Sequence, residues 1–228
     1  MKILSIDTSS SICAVAVLED ENLIKEISLD NGLTHSEKLM PIIQEIFLKT
    51  NLHLQDIDLL VCDKGPGSFT GIRIGTSTIM AFADSLGLNS IGVSSLEALA
   101  HNVQKDGIIC SLIDAKNSNC YCGIFKLENS IYTILQDFYA DHIDNILQIL
   151  DSYNTNITFV GNGAIVNKNA ITYKLPNSIF VDNNNISAYN LGLAGLYKFK
   201  NNISSNTLPL YLRKSQAERM LEKNGRNI

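Results

Sequence analysis

The chain has no long apolar run. No stretch approaches the roughly 20 apolar residues of a membrane span. Its start also lacks a basic segment followed by an apolar run and a cleavage site, so a cytoplasmic protein is expected. Charge is sparse, at 18% of residues against the usual roughly 25%. The balance is acidic, with 18 Lys and Arg against 23 Asp and Glu, a net charge of −5. No concentrated basic patch stands out, which argues against unaided capture of nucleic acid; a role in RNA biology would come through a partner. Metal-type cysteine pairs are missing too. The five cysteines, Cys13, Cys62, Cys110, Cys120 and Cys122, lie in apolar, strand-like sequence with a single C-x-C. They are expected to be buried structural thiols rather than ligands or redox pairs.

What the chain does have is apolar residues, 45% of 228, enough for one large domain or two small ones. Residues 2–7 form a short apolar run ending in Asp7. Runs at 13–19 and 23–29 follow, separated by Asp20-Glu21-Asn22, as in a hairpin. Leu39, Ile42, Ile43, Ile46 and Phe47 then recur at helical spacing. Thr34 is the expected N-cap, with Glu37 placed for a capping box. Pro41 inside this pattern predicts a kink or an early helix start.

The pattern repeats. A constant shift of 107 positions maps Ile6 on Ile113, Asp7 on Asp114, Ser11 on Ser118 and Cys13 on Cys120. The same shift maps Glu21 on Glu128, Asn22 on Asn129 and Ile24 on Ile131. A different shift relates residues 59–65 to 157–163. The order β-β-β-α-β-α is therefore expected twice, in halves at 1–105 and 106–228, the second ending in a polar tail. Strand triplets followed by alternating helix and strand imply an α/β fold with mixed sheets flanked by helices. Two such ribonuclease-H-like halves around a cleft resemble the actin, sugar-kinase and chaperone-ATPase superfamily. That resemblance implies two Asp hairpins facing nucleotide phosphates from opposite sides. The matching positions are Asp7-Thr8-Ser9-Ser10 and Asp114-Ala115-Lys116-Asn117. No Ser or Thr follows Asp114 directly, so Asp7, Thr8, Ser9 and Asp114 read as a vestigial nucleotide site rather than a working one.

Residues 65–75 read Gly-Pro-Gly-Ser-Phe-Thr-Gly-Ile-Arg-Ile-Gly, between an apolar strand and a helical stretch. A Walker loop would place Lys and Ser or Thr where Ile72 and Arg73 stand, and the GxGxxG spacing is not met. Gly65-Pro66-Gly67 predicts a rigid turn, and Ser68 or Thr70 a helix cap. Gly71 and Gly75 share one helical face. Each costs a helix up to about 1 kcal/mol against Ala, so close approach of another surface is expected there. An inter-subunit surface is the favoured reading over packing within the subunit. Arg73 offers a fork for a carboxylate or phosphate.

A mononuclear metal site is not expected. Two His four residues apart on one helix face would converge on a metal, but the position four after His35 is Leu39. His53, His101 and His142 have no such partner either. His35 is expected either to hydrogen-bond at the helix start or to touch a partner.

The segments Ile3-Leu-Ser-Ile-Asp-Thr-Ser9, His35-Ser-Glu-Lys-Leu-Met-Pro41, Gly65 to Gly75 and Pro209-Leu-Tyr-Leu-Arg213 together resemble the TsaB (YeaZ) family over nearly the whole chain. The resemblance implies a subunit needed for N6-threonylcarbamoyladenosine, formed beside the anticodon of tRNAs that read codons beginning with A. It implies a non-catalytic role beside a TsaD-like catalytic paralogue and a TsaE-like ATPase, a homodimer in isolation, and tRNA contact only through the complex. No firmly bound cofactor is implied, with ATP or ADP admissible at the partner interface. The pairing face implied by the family is the first two helices: His35, Ser36, Leu39, Met40, Ile43 and Phe47 on one, Phe69, Thr70, Gly71, Arg73, Ile74 and Gly75 on the other. An active ATPase or kinase of the superfamily, and a metallopeptidase-like protein, are the alternatives.

Overall fold

The computed structural model describes residues 1–30 and 34–214. The polar tail read in the sequence lies, from residue 215 on, outside the described residues. The first half runs β1 (Lys2–Asp7), β2 (Cys13–Glu19), β3 (Asn22–Leu29), α1 (His35–Thr50), β4 (Leu59–Asp63), α2 (Phe69–Leu86), β5 (Asn89–Val93) and α3 (Ser95–Ala100). The second runs β6 (Gly107–Asp114), β7 (Asn119–Glu128), β8 (Ile131–His142), α4 (Ile143–Asp151), β9 (Ile157–Val160), α5 (Asn162–Val166), α6 (Lys168–Lys174), β10 (Ile179–Phe180) and α7 (Ala188–Lys200).

The two five-stranded sheets have the same plan, β3-β2-β1-β4-β5 and β10-β9-β6-β7-β8. In each, the first strand pairs antiparallel with the second and parallel with the strand that follows the first helix. The expected α/β duplication with mixed sheets is therefore the fold. Each sheet carries a fifth strand beyond the repeat read in the sequence, β5 and β10, both short and at an edge. Cys13 to Leu18 is buried at every residue. Unbroken apolar runs of this kind mark strands covered on both faces.

Helices α1 and α2 cover the outer face of the first sheet through Leu39, Ile42, Ile43, Ile46 and Ile79. Its inner face packs against α3 and α7, with Ala98, Leu191 and Ala194 against Ile3, Leu59 and Val61. Leu96 and Leu99 of α3 also join Phe125, Leu127 and Val160 of the second sheet. So α7, the last helix in the chain, crosses back onto the first sheet. Lys198 of α7 is pinned to Glu97 of α3 by a 2.7 Å ion pair, both side chains nearly buried. Among the described residues no helix is long and apolar enough to cross a membrane.

The helix starts follow the sequence. Glu37 accepts hydrogen bonds from the Thr34 backbone N–H at 3.0 Å and from its hydroxyl at 2.6 Å. These bonds hold the Glu37 carboxyl below its usual range. Helix α1 begins early and runs through Pro41 to Thr50. Ser68 caps α2, its Oγ accepting from Gly71 N at 3.2 Å. All five cysteines are buried and free of disulfides. Burial pushes the Cys13 thiol up to about 11 and the Cys120 thiol up to about 12, leaving little thiolate for metal or redox chemistry at neutral pH.

Candidate functional site

Three strands end in an aspartate, and each aspartate folds back on its own turn. Asp7 at the end of β1 accepts from Ser9 N at 2.7 Å. Asp63 at the end of β4 accepts from Gly65 N at 2.6 Å. Asp114 at the end of β6 accepts from Lys116 N at 2.9 Å. This is the Asx-turn habit of a short carboxylate at a chain reversal. The sequence reading found Asp7 and Asp114 but missed Asp63. The signal was present: Asp63 ends a fully buried strand, and Asp7 ends one buried at every residue after Lys2.

The Asp7 turn is a hub for both outer helices. Thr8 Oγ1 donates to the Gly71 carbonyl at 2.7 Å. Ser9 O accepts from Ser68 N at 2.7 Å. His35 Nε2 lies 2.7 Å from the Ser10 carbonyl, so this nitrogen carries the proton. His35 is therefore placed as a helix-start residue hydrogen-bonded inside its own chain.

The glycine pair requires a correction. Gly71 and Gly75 do face a closely approaching surface, but that surface is Thr8 of the same chain. A Cβ on Gly71 would overlap the Thr8 carbonyl, and one on Gly75 would overlap the Thr8 hydroxyl. Both glycines are buried. The small stripe lets α2 settle on the β1 turn and is not itself an inter-subunit surface. Leu39 and Ile43 also turn inward, at 2% and 3% exposure, because the core of the first sheet needs that face of α1.

Ser36 and Met40 on α1 and Thr70 and Arg73 on α2 are left facing outward. Ile74 and Phe47 are half-buried at the margin of the core. Met40 is 44% exposed, which is high for a methionine on a helix flanked by core residues. Arg73 does not wait for an anion. Its Nε donates to Tyr211 Oη at 2.7 Å, and its guanidinium carbon stands 5.6 Å from the centre of that ring.

The second Asp turn differs in charge and in backbone. Burial raises the Asp114 carboxyl, but the Lys116 ammonium at 2.9 Å and its backbone N–H outweigh that and leave it below the usual range. Lys116, Asn117 and Ser118 all have positive φ, at 68°, 55° and 56°. Lys116 thus occupies the carboxylate of its own turn. Ser9 and Ser10 of the first turn and Ile113, just before the second, wall a cavity of about 60 Å³ together with Pro66, Asn162 and Asn184 among others. Among the described residues no three His, Cys, Asp or Glu side chains cluster as a metal site.

The family model described as TsaD, tRNA N6-adenosine threonylcarbamoyltransferase, matches residues 31–219. The chain is 29% identical over 222 residues to the Bacillus subtilis tRNA threonylcarbamoyladenosine biosynthesis protein TsaB, covering 96% of each. The chain belongs to the TsaB (YeaZ) branch of the TsaD family. Against Escherichia coli TsaB the identity is 34% over 136 residues, 58% of each chain. In structure, YeaZ from Pseudomonas aeruginosa matches with a TM-score of 0.74 at 21% identity, over 92% of this chain and 99% of that one. A second Pseudomonas aeruginosa structure, described as similar to peptidase YeaZ, gives 0.78 at 23% identity, over 93% and 99%.

The four segments that carry the TsaB resemblance converge in space. The strand ending in Asp7 meets the start of α1 through His35 and the start of α2 through Thr8. The fourth segment, residues 209–213, straps over them. Leu210 N donates to the Lys64 carbonyl at 2.7 Å. Tyr211 stacks on Phe69 with ring centres 4.6 Å apart. Arg213 Nη1 donates to the Ala115 carbonyl at 2.6 Å, tying the strap to the second Asp turn. The TsaB signature is thus one assembled unit, a turn with two helices and a strap, rather than four separate motifs.

Proposed function

We propose that this chain is a non-catalytic subunit required for N6-threonylcarbamoyladenosine formation in tRNA. It scaffolds and activates a TsaD-like catalytic paralogue and works beside a TsaE-like ATPase. The observation that carries this reading is the cleft. Among the described residues, the cavity that touches Ser9 and Ser10 of the first turn and Ile113 beside the second is about 60 Å³, several-fold smaller than the roughly 300–1,000 Å³ of ordinary ligand pockets. The carboxylate of the second turn is already held by Lys116. Support also comes from the outer helices, where Met40 and Arg73 stand outward on a rigidly held platform. The same face is the one through which the isolated chain would pair with a second copy. The net charge of −5 favours tRNA contact through the partner, and ATP or ADP would sit only where that partner completes a site.

Nucleotide binding by the isolated chain tests this. Titration calorimetry with ATP and Mg²⁺ is expected to show no saturable binding below roughly millimolar concentration, a free energy of about −4 kcal/mol at most. Micromolar binding with ATP turnover that is lost in Asp7→Asn would overturn the non-catalytic reading.

A further inference from the structure

Two carboxyl groups meet where β1 and β4 end, and among the described residues no cation is bonded to either. Asp7 is 0% and Asp63 1% exposed. One oxygen of each is satisfied. Asp7 Oδ1 accepts from Ser9 N. Asp63 Oδ1 accepts from Gly65 N and, at 2.7 Å, from Ser95 Oγ of α3. The other oxygen of each, Oδ2, is buried without a partner, and so is Ser9 Oγ. The Ser9 hydroxyl faces both carboxyls and can donate its one proton to only one of them at a time, and the two carboxyls lie against one another.

Other charged and titratable groups surround the pair without bonding to it. From α1, His35 is hydrogen-bonded to the Ser10 carbonyl and acts electrostatically on Asp7, drawing its carboxyl down by less than burial raises it; the Lys38 ammonium acts on Cys13 of β2. Beside Asp63, Cys62 is a buried neutral thiol, and Lys64 donates to Ser205 Oγ at 3.0 Å. Two ionised carboxylates cannot stand together in such a place without a counter-charge. A divalent cation would take six to eight oxygens or keep its waters, and full burial leaves room for neither. A proton needs no room and satisfies both orphaned oxygens with one bond.

We propose that Asp7 and Asp63 hold a single proton between them, one Oδ2 donating to the other, as a buried clasp between the turns that launch α1 and α2. Burial pushes both carboxyls above the usual carboxylate range, and Asp63 most strongly because the Asp7 charge adds to it. The sign follows. An acid raised in the folded state stabilises fully below its unfolded pKa, and that stability is lost as pH rises through the folded value. The clasp therefore tightens the first half in mild acid and loosens it on the alkaline side.

Asp63→Asn tests the clasp. The amide keeps the acceptor used by Gly65 and Ser95 and offers an N–H to Asp7 Oδ2. At pH 8 the variant is expected to melt about 4 °C or more above wild type, with the gap closing near pH 4. Infrared difference spectra should show a protonated-carboxyl band in wild type at neutral pH that is missing in the variant. Should Asp63→Asn fail to fold, the wild-type band alone decides. A wild type with no such band overturns the proposal. So does a melting temperature raised by Mg²⁺, Ca²⁺ or Na⁺ chloride above the ionic-strength control, which would put a metal ion there.

Discussion

Gly71→Ala is expected to destabilise the fold severely. Alanine in place of a helical glycine ordinarily gains up to about 1 kcal/mol. Here the new Cβ would overlap the Thr8 carbonyl oxygen, with His35 Cδ2 only 3.1 Å away on another side. The first of these neighbours is backbone, fixed in the turn by the bonds from Thr8 Oγ1 to Gly71 O and from Ser68 N to Ser9 O. It cannot swing aside as a side-chain tip would. Relief requires α2 to lift from the β1 turn and to lose the burial of Ile72 and Ile79. Burying one such side chain is worth roughly 1.5–3 kcal/mol. The loss should therefore exceed about 3 kcal/mol, a large share of a domain's total of roughly 5–15. Urea unfolding would read it, with Ser77→Ala, at an exposed position of the same helix, as the control staying within about 0.5 kcal/mol. A Gly71→Ala protein as stable as wild type would show that the glycine does not bear on Thr8.

The second large effect is expected on pairing. Met40 stands outward on α1 between residues that build the core, so its side chain is free to serve a partner. Methionine fills irregular apolar contacts well, and a carboxylate buried there would have no counter-charge. Met40→Asp should weaken association with the TsaD-like paralogue by at least about 2 kcal/mol, roughly 30-fold in Kd. The melting temperature should move by no more than a degree or two, because the site is exposed. Calorimetric titration of the two purified proteins measures the first and thermal unfolding the second. An unchanged Kd would move the pairing surface off α1.

These two substitutions separate what the sequence carried from what it could not. The duplication was legible because strand period, an acid at the strand end and a fixed shift coincide at Asp7 and Asp114. The first-half capping residues Thr34, Glu37 and Ser68 were legible because their chemistry is local. The direction in which Gly71 and Gly75 look was not. A small-residue stripe has the same spacing whether it receives its own chain or another, and only the tertiary position of Thr8 decides. The return of α7 to the first sheet was hidden for a related reason: helical periodicity marks an apolar face but does not name the sheet that covers it. Strand β10, at two residues, was too short to stand out, and β5 opens on the polar pair Asn89-Ser90 and holds Gly92, which blunts its apolar signal. Asp63 escaped because its strand repeats with a different shift from the one that aligned the hairpins. The strap at residues 209–213 resembled the family in sequence, yet its use, closing over Phe69 and Arg73, rests on contacts more than a hundred residues apart along the chain.

One measurement bears most directly on the proposed role: threonylcarbamoyladenosine formed on tRNA in a reconstituted mixture of TsaD-like and TsaE-like proteins, with and without this chain. We expect product to fall to background when the chain is left out, to return with the wild-type chain, and to stay near background with Met40→Asp at the same concentration. Full product without the chain, or equal product with Met40→Asp when that variant also pairs normally, would contradict a scaffold acting through the outer face of α1.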